Sequence, residues 1–147
     1  MTATTTTDDP ALKPLEVLIG TWDTEATHPM LEGTLRGTVT FEWLEGGRYL
    51  LQRSRQEHEQ VPDGLAVIGA PEHGDGLVME YFDSRGVRRT YDVAIEDGVL
   101  RWWRDDPEFA QRYSARLAPD RFEGSGELAR TPGDWHEDLR MTYTRRA

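Results

Sequence analysis

The sequence predicts an all-β domain, an up-and-down antiparallel barrel of about ten strands behind a short N-terminal helix. Three observations lead there. From Trp22 onward, short apolar runs recur between turn signals at about 8–12-residue spacing, the rhythm of all-β folds. No gap between runs has room for a crossover helix, so neighbouring strands must be antiparallel. A long meander leaves two unpaired edges, and closing the sheet removes both.

The elements follow in order. Residues 1–9, MTATTTTDD, offer no core residue and read as a flexible tail, with a single domain over 10–147. Asp9 is placed to cap a helix with Pro10 at its first position. Leu12, Leu15, Val17, Leu18 and Ile19 give that helix an apolar face, Pro14 keeps it short or partly 3₁₀, and Gly20 ends it. This segment is expected to plug one end of the barrel. Strands are expected at 21–28, 34–44, 48–57, 65–70, 76–82, 87–96, 99–104, 109–117, 122–130 and 135–145. Turn residues separate them: Glu45-Gly46-Gly47, Gly74-Asp75-Gly76, Asp83-Ser84-Arg85-Gly86, Asp97-Gly98, Pro119-Asp120 and Pro132-Gly133-Asp134. Asp-Gly between alternating runs is a strong hairpin signal.

Composition narrows the function. The formal net charge is −10, from 27 acids and 17 bases. A nucleic-acid binder needs a basic stripe, and an anionic membrane repels such a surface, so neither partner is expected. There is no cysteine, which removes disulfides, thiolate metal sites and cysteine nucleophiles. No apolar run approaches a membrane span, and the N-terminus lacks the basic and apolar regions of a secretory signal, so a cytoplasmic location is expected. All bases except Lys13 are Arg, which we read as the codon bias of a GC-rich bacterial genome.

Three segments carry a family resemblance: Leu15 to Trp22 (LEVLIGTW), Thr38 to Leu51 (TVTFEWLEGGRYLL) and Asp138 to Arg145 (DLRMTYTR). Together they resemble calycin-type barrels, which include lipocalins, fatty-acid-binding proteins and nitrobindin-like haem barrels. They are most similar to a bacterial lipocalin-like family whose members are mostly of unknown function. The resemblance implies that Trp22 sits at the closed end and that Arg145, from the last strand, packs over its ring and bonds nearby carbonyls. A planar, weakly hydrated guanidinium suits an indole face. The role implied for this pair is structural.

Strand parity then sorts the side chains. An inward Trp22 carries Thr24, Ala26 and His28 inward. Phe41 and Trp43 share a face with Val39. Tyr49, Leu51 and Arg53 alternate with Leu50, Gln52 and Ser54. Met79 and Tyr81 oppose Glu80, and Tyr91, Val93 and Ile95 form a face. Phe109, Gln111, Tyr113 and Ala115 form another, as do Trp135, Glu137, Leu139, Met141 and Tyr143. The expected ligand-binding set is therefore His28, Phe41, Trp43, Arg53, Met79, Tyr81, Gln111, Tyr113, Glu137, Leu139 and Tyr143. An aromatic lumen with a few convergent polar groups has the composition of a small-ligand cavity; a filled barrel whose polar groups satisfy one another is the alternative. Arg53 and Glu137, if inward, should pair with each other or with a ligand, and an inward Arg suits a ligand carboxylate.

Reactive chemistry is sparsely signalled. Nitrobindin-like barrels use a late-strand His as the iron ligand. The only late His is His136, whose parity opposes Met141, Tyr143 and Arg145 and points it outward, so haem is not expected. His28, His58, His73 and His136 are too scattered for a metal site. No phosphate loop or nucleophile elbow is present. Trp102 and Trp103 must face opposite ways on their strand, and the outer one suits a homodimer contact. The expected activity is binding of a small apolar or amphipathic molecule in the lumen. The alternative is a cofactor-independent enzyme, cyclase- or isomerase-like, of secondary metabolism in which His28 works with Glu137 or Tyr113. A filled-core domain acting through its surface is the third class.

Overall fold

The computed structural model describes residues 6–147. Ten strands form one closed antiparallel barrel in which each strand pairs with its sequence neighbours and β1 closes onto β10. They are β1 Gly20–His28, β2 Leu31–Trp43, β3 Leu50–Gln56, β4 Gly64–Gly69, β5 Leu77–Asp83, β6 Arg88–Glu96, β7 Val99–Arg104, β8 Ala110–Arg116, β9 Arg121–Ala129 and β10 His136–Arg145. A 3₁₀ helix, Lys13–Leu18, precedes them. The turn chemistry acts where expected: Asp97 and Gly98 both take positive φ, 51° and 77°, which joins β6 to β7 with the twist a two-residue hairpin needs.

The helix seals one end. Leu12, Leu15 and Leu18 are buried in one core cluster with Trp22, Phe41, Trp43, Leu50 and Ile68. Each such aliphatic side chain contributes about 1.5–3 kcal/mol when fully buried. Trp22 donates its indole N–H to the Leu18 carbonyl at 2.8 Å. Arg145 lies over the Trp22 ring at 4.3 Å. Its guanidinium also donates to the carbonyls of Ile19 at 2.7 Å, of Val17 and of Pro119. Gly20 does not end the helix as expected but opens β1 at φ 128°, where a Cβ would stand 2.8 Å from Arg145 Nη1. The glycine makes room for the guanidinium.

The expected tail needs correction at its C-terminal part; residues 1–5 lie outside the described residues. Thr7 is buried, its hydroxyl donates to the Gly47 carbonyl, and its backbone N–H donates to Glu16 at 2.8 Å. Asp9 does not cap the helix, which begins at Lys13 with Leu12 at its N-cap; it caps the turn before it, accepting from the Ala11 N–H at 3.0 Å.

On the outer face, cross-strand charges pair: Arg53 with Glu42, Arg112 with Glu127 and Arg36 with Glu25. Such exposed pairs contribute about 0–1 kcal/mol each. Trp103 and Trp102 divide as the alternation requires. Trp102 turns inward, where it stacks on Tyr113 at 4.7 Å and 11°. Trp103 is opposite the outward Arg112 in the β7–β8 register. Trp135, expected inside, instead lies under the Arg112 guanidinium at 3.9 Å, because it precedes β10.

Candidate ligand-binding cavity and its neck

At the end away from the helix the barrel is hollow. A cavity of about 290 Å³ is bounded by Val39, Ala66, Met79, Tyr91, Trp102, Tyr113, Leu139, Met141 and Tyr143. Its wall is mostly apolar and aromatic, with Gln52, Ser54 and Gln56 of β3 along one side. It opens into a wider, polar vestibule through a neck shared by Arg85, Arg89, Gln111 and Asp138. Val61 and Pro62, from the loop between β3 and β4, also line the cavity. That loop is tied to the β5–β6 turn: Ser84 N–H donates to the Asp63 carbonyl at 2.9 Å, and Asp63 N–H donates to the Ser84 hydroxyl at 3.1 Å.

The expected residues divide into three groups. Met79, Tyr81, Gln111, Tyr113, Leu139 and Tyr143 line the cavity, and His28 lines the vestibule beside the neck. Phe41 and Trp43 face inward but belong to the packed core towards the helical end, not to the cavity wall. Arg53 and Glu137 do not point inward. The Arg53 side chain is 58% exposed and pairs with Glu42 at 3.2 Å. The parity of β3 is set by Leu50, Gln52 and Ser54, so Arg53 belongs to the other face. Glu137 is exposed at the rim, where it borders the vestibule, and pairs with Arg140 at 3.0 Å. A register shift between Glu137 and Arg140 in the β9–β10 ladder reverses the alternation there.

That bulge brings in a residue the alternation hides. Asp138 and Leu139 are adjacent, yet both line the lumen. Asp138 Oδ1 lies 2.6 Å from His28 Nε2, with the two side chains 17% and 25% exposed. A second register shift, between Ala26 and His28 in the β1–β2 ladder, sits beside the first. His28 is fixed at both nitrogens. The Met30 backbone N–H can only donate, so Nδ1 accepts at 3.0 Å and Nε2 carries the proton given to Asp138. His136, the late-strand histidine, is exposed and lies 3.2 Å from Asp134. Among the described residues no group of three or more His, Asp and Glu converges for a metal ion.

Hydroxyls dominate the remaining polarity. Tyr91 donates to Gln111 Oε1 at 2.7 Å. Burial raises the Tyr91, Tyr113 and Tyr143 pKa values above the usual 10.0, and at Tyr113 the neighbouring Tyr143 adds to the rise. The Tyr113 hydroxyl is buried, with the Tyr143 hydroxyl as its hydrogen-bonding neighbour. Gln56 Oε1 is buried without a partner. At the rim, Tyr81 donates to Asp83 Oδ2 at 2.9 Å, and Arg85 Nη2 donates to the same oxygen at 2.7 Å. The Arg85 and Val87 N–H groups donate to Oδ1 at 2.9 and 3.3 Å. The Arg85 guanidinium, foremost, holds the Asp83 carboxyl far below its usual 3.8. Burial, then the bond to Asp83, pushes the Tyr81 phenol well up. Arg89 stacks on Phe109 at 4.8 Å, and Arg130 lies 5.3 Å from the same ring.

No family model and no curated protein matches the chain in sequence. Solved structures do match in shape. Rv2717c from M. tuberculosis superposes with a TM-score of 0.67 at 14% identity, over 95% of this chain and 99% of that one. Echinococcus granulosus fatty-acid-binding protein 1 superposes with a TM-score of 0.64 at 12% identity, over 90% of this chain and 99% of that one. At these identities the likeness concerns the fold: the chain folds as a closed, ten-stranded antiparallel barrel similar in shape to these two proteins.

Proposed function

We propose that the barrel reversibly binds a small apolar or amphipathic molecule, with its apolar part in the lumen and its polar part at the neck. The observation that carries this reading is the cavity of about 290 Å³ with an aromatic and thioether wall, opening to a polar neck. Burying apolar ligand area there contributes roughly 25 cal/mol per Å². Gln56 Oε1, buried without a partner in the cavity wall, gives a ligand a buried hydrogen-bond acceptor. One structural relative is by name a fatty-acid-binding protein, so this architecture is compatible with a lumenal ligand.

Native mass spectrometry of protein purified from its own host tests the reading, together with titration of the environment-sensitive dye 1-anilinonaphthalene-8-sulfonate. We expect a reproducible bound mass or saturable dye binding, abolished in Ala66→Trp, which fills the cavity. Dye binding unaffected by Ala66→Trp, with no bound mass, overturns it.

A further inference from the structure

We propose that Asp138, held by His28, is a general acid/base that moves a proton on a small carbonyl compound seated in the lumen. This rests on the lumen being a ligand site. Two irregularities place the dyad: the register shifts in the β1–β2 and β9–β10 ladders lie at the same end of neighbouring strands. Without the second, Asp138 would share the outer face of β10. Bulges re-aim side chains beside active sites at the expense of ladder bonds.

The hydrogen bonding separates a reactive carboxylate from a structural one. Asp83, on the same rim, is saturated: both oxygens accept bonds, from Tyr81, Arg85 and Val87. Asp106 is likewise occupied at both oxygens, by Glu108, Phe109 and Arg104. Asp138 is not. His28 takes Oδ1, and Oδ2 accepts no hydrogen bond among the described residues, although the residue lines both cavity and vestibule. His28 has no nitrogen left to act on a substrate, so it is a positioning residue and Asp138 is the catalytic one. The same neck holds Arg89, which rests on Phe109.

The step balances within the site. Asp138 Oδ2 forms a bond to a proton on the carbon next to the carbonyl. That C–H bond breaks, and its electron pair passes into an enolate whose oxygen meets the Arg89 guanidinium. In a β,γ-unsaturated carbonyl compound that pair is shared with the C=C as a dienolate; Asp138 returns the proton to the γ carbon while the double bond moves into conjugation with the carbonyl, so the product is an isomer and no oxidant or co-reactant is consumed. A fixed carboxylate base contributes about 10²–10⁴-fold in such a transfer.

The probe for this test is 5-nitrobenzisoxazole. A carboxylate removes its ring C–H proton, the N–O bond breaks, and a coloured cyanophenolate leaves. We expect saturable turnover, a kcat about 100-fold lower in Asp138→Asn with KM unchanged, loss of kcat in His28→Ala, and recovery in His28→Gln, whose amide N–H can still donate to Asp138. Seating in the lumen is read separately, as quenching of Trp emission that disappears in Trp102→Phe. Quenching with equal turnover in wild type and Asp138→Asn overturns the proton-transfer site and leaves the binding reading standing. Absence of both quenching and turnover overturns both. Circular dichroism of each variant confirms that the barrel is folded.

Discussion

Arg145 and Trp22 form the closing contact of the helical end: the guanidinium lies 4.3 Å above the indole, while the indole N–H holds the helix through Leu18. The same guanidinium donates to three backbone carbonyls, on Val17, Ile19 and Pro119. One side chain thereby fastens the last strand to the segment before the first.

Arg145→Ala should therefore destabilise the fold by about 2 kcal/mol or more, since three carbonyls lose charge-assisted donors and the indole loses its cover. Arg145→Lys should recover only a minor part, because an ammonium cannot span the fork or lie flat on the ring. Urea denaturation gives the difference. Dye binding in the lumen should be unchanged, as the contact is at the other end.

Gly124 should not tolerate alanine. A Cβ there would stand 1.8 Å from the Tyr113 hydroxyl oxygen and 2.3 Å from its Cζ. Gly124→Ala should cost about 1–3 kcal/mol by overpacking and should tilt Tyr113 away from its stack with Trp102. Combining it with Tyr113→Leu should cost less than the sum of the two single changes, which a double-mutant cycle in urea would show.

Asp83 should set part of the acid sensitivity. Its folded pKa is depressed below the usual 3.8, mainly by Arg85. A depressed carboxylate stabilises the fold fully above its unfolded pKa, and the contribution is lost as pH falls through the folded value. The stability gap between wild type and Asp83→Asn should thus be largest near neutral pH and should narrow steadily below 3.8. A gap that widens with acidification would contradict the network at the rim.

Arg53→Ala and Glu137→Gln should change little. Both side chains lie outside, in exposed pairs with Glu42 and Arg140. Each change should shift stability by less than about 1 kcal/mol and leave dye affinity unaltered.

The contrast between these positions shows how far the sequence could be read. Strand order and boundaries were legible because turn residues such as Asp97-Gly98 impose their own geometry. Inner faces were legible wherever alternation is clean, as in Val39-Phe41-Trp43 and Phe109-Gln111-Tyr113. Around Arg53 it is not clean: Leu50 and Leu51 are both apolar, and the face that turns inward continues with Gln52, Ser54 and Gln56. Glu137 and Asp138 failed for a different reason. Leu139 points inward, parity assigns Asp138 outward, and only the bulge reverses this. A bulge of this kind leaves no mark in composition. It is visible only once β9 is laid beside β10, so the dyad with His28, 110 residues away, could not be inferred from spacing.

Closure of β1 onto β10 has a kinetic consequence. The first strand can take up β2 as soon as both have been synthesised, but its other edge has no partner until β10 follows, more than a hundred residues later. On the ribosome that edge is an open template for pairing with other chains. Loop closure over such a distance is slow, so refolding in ms to s is expected for this topology, not the μs–ms of local-contact folds. Until then the Thr24–Tyr143 and Ala26–Met141 registers do not exist, and neither does an inside for a ligand to enter.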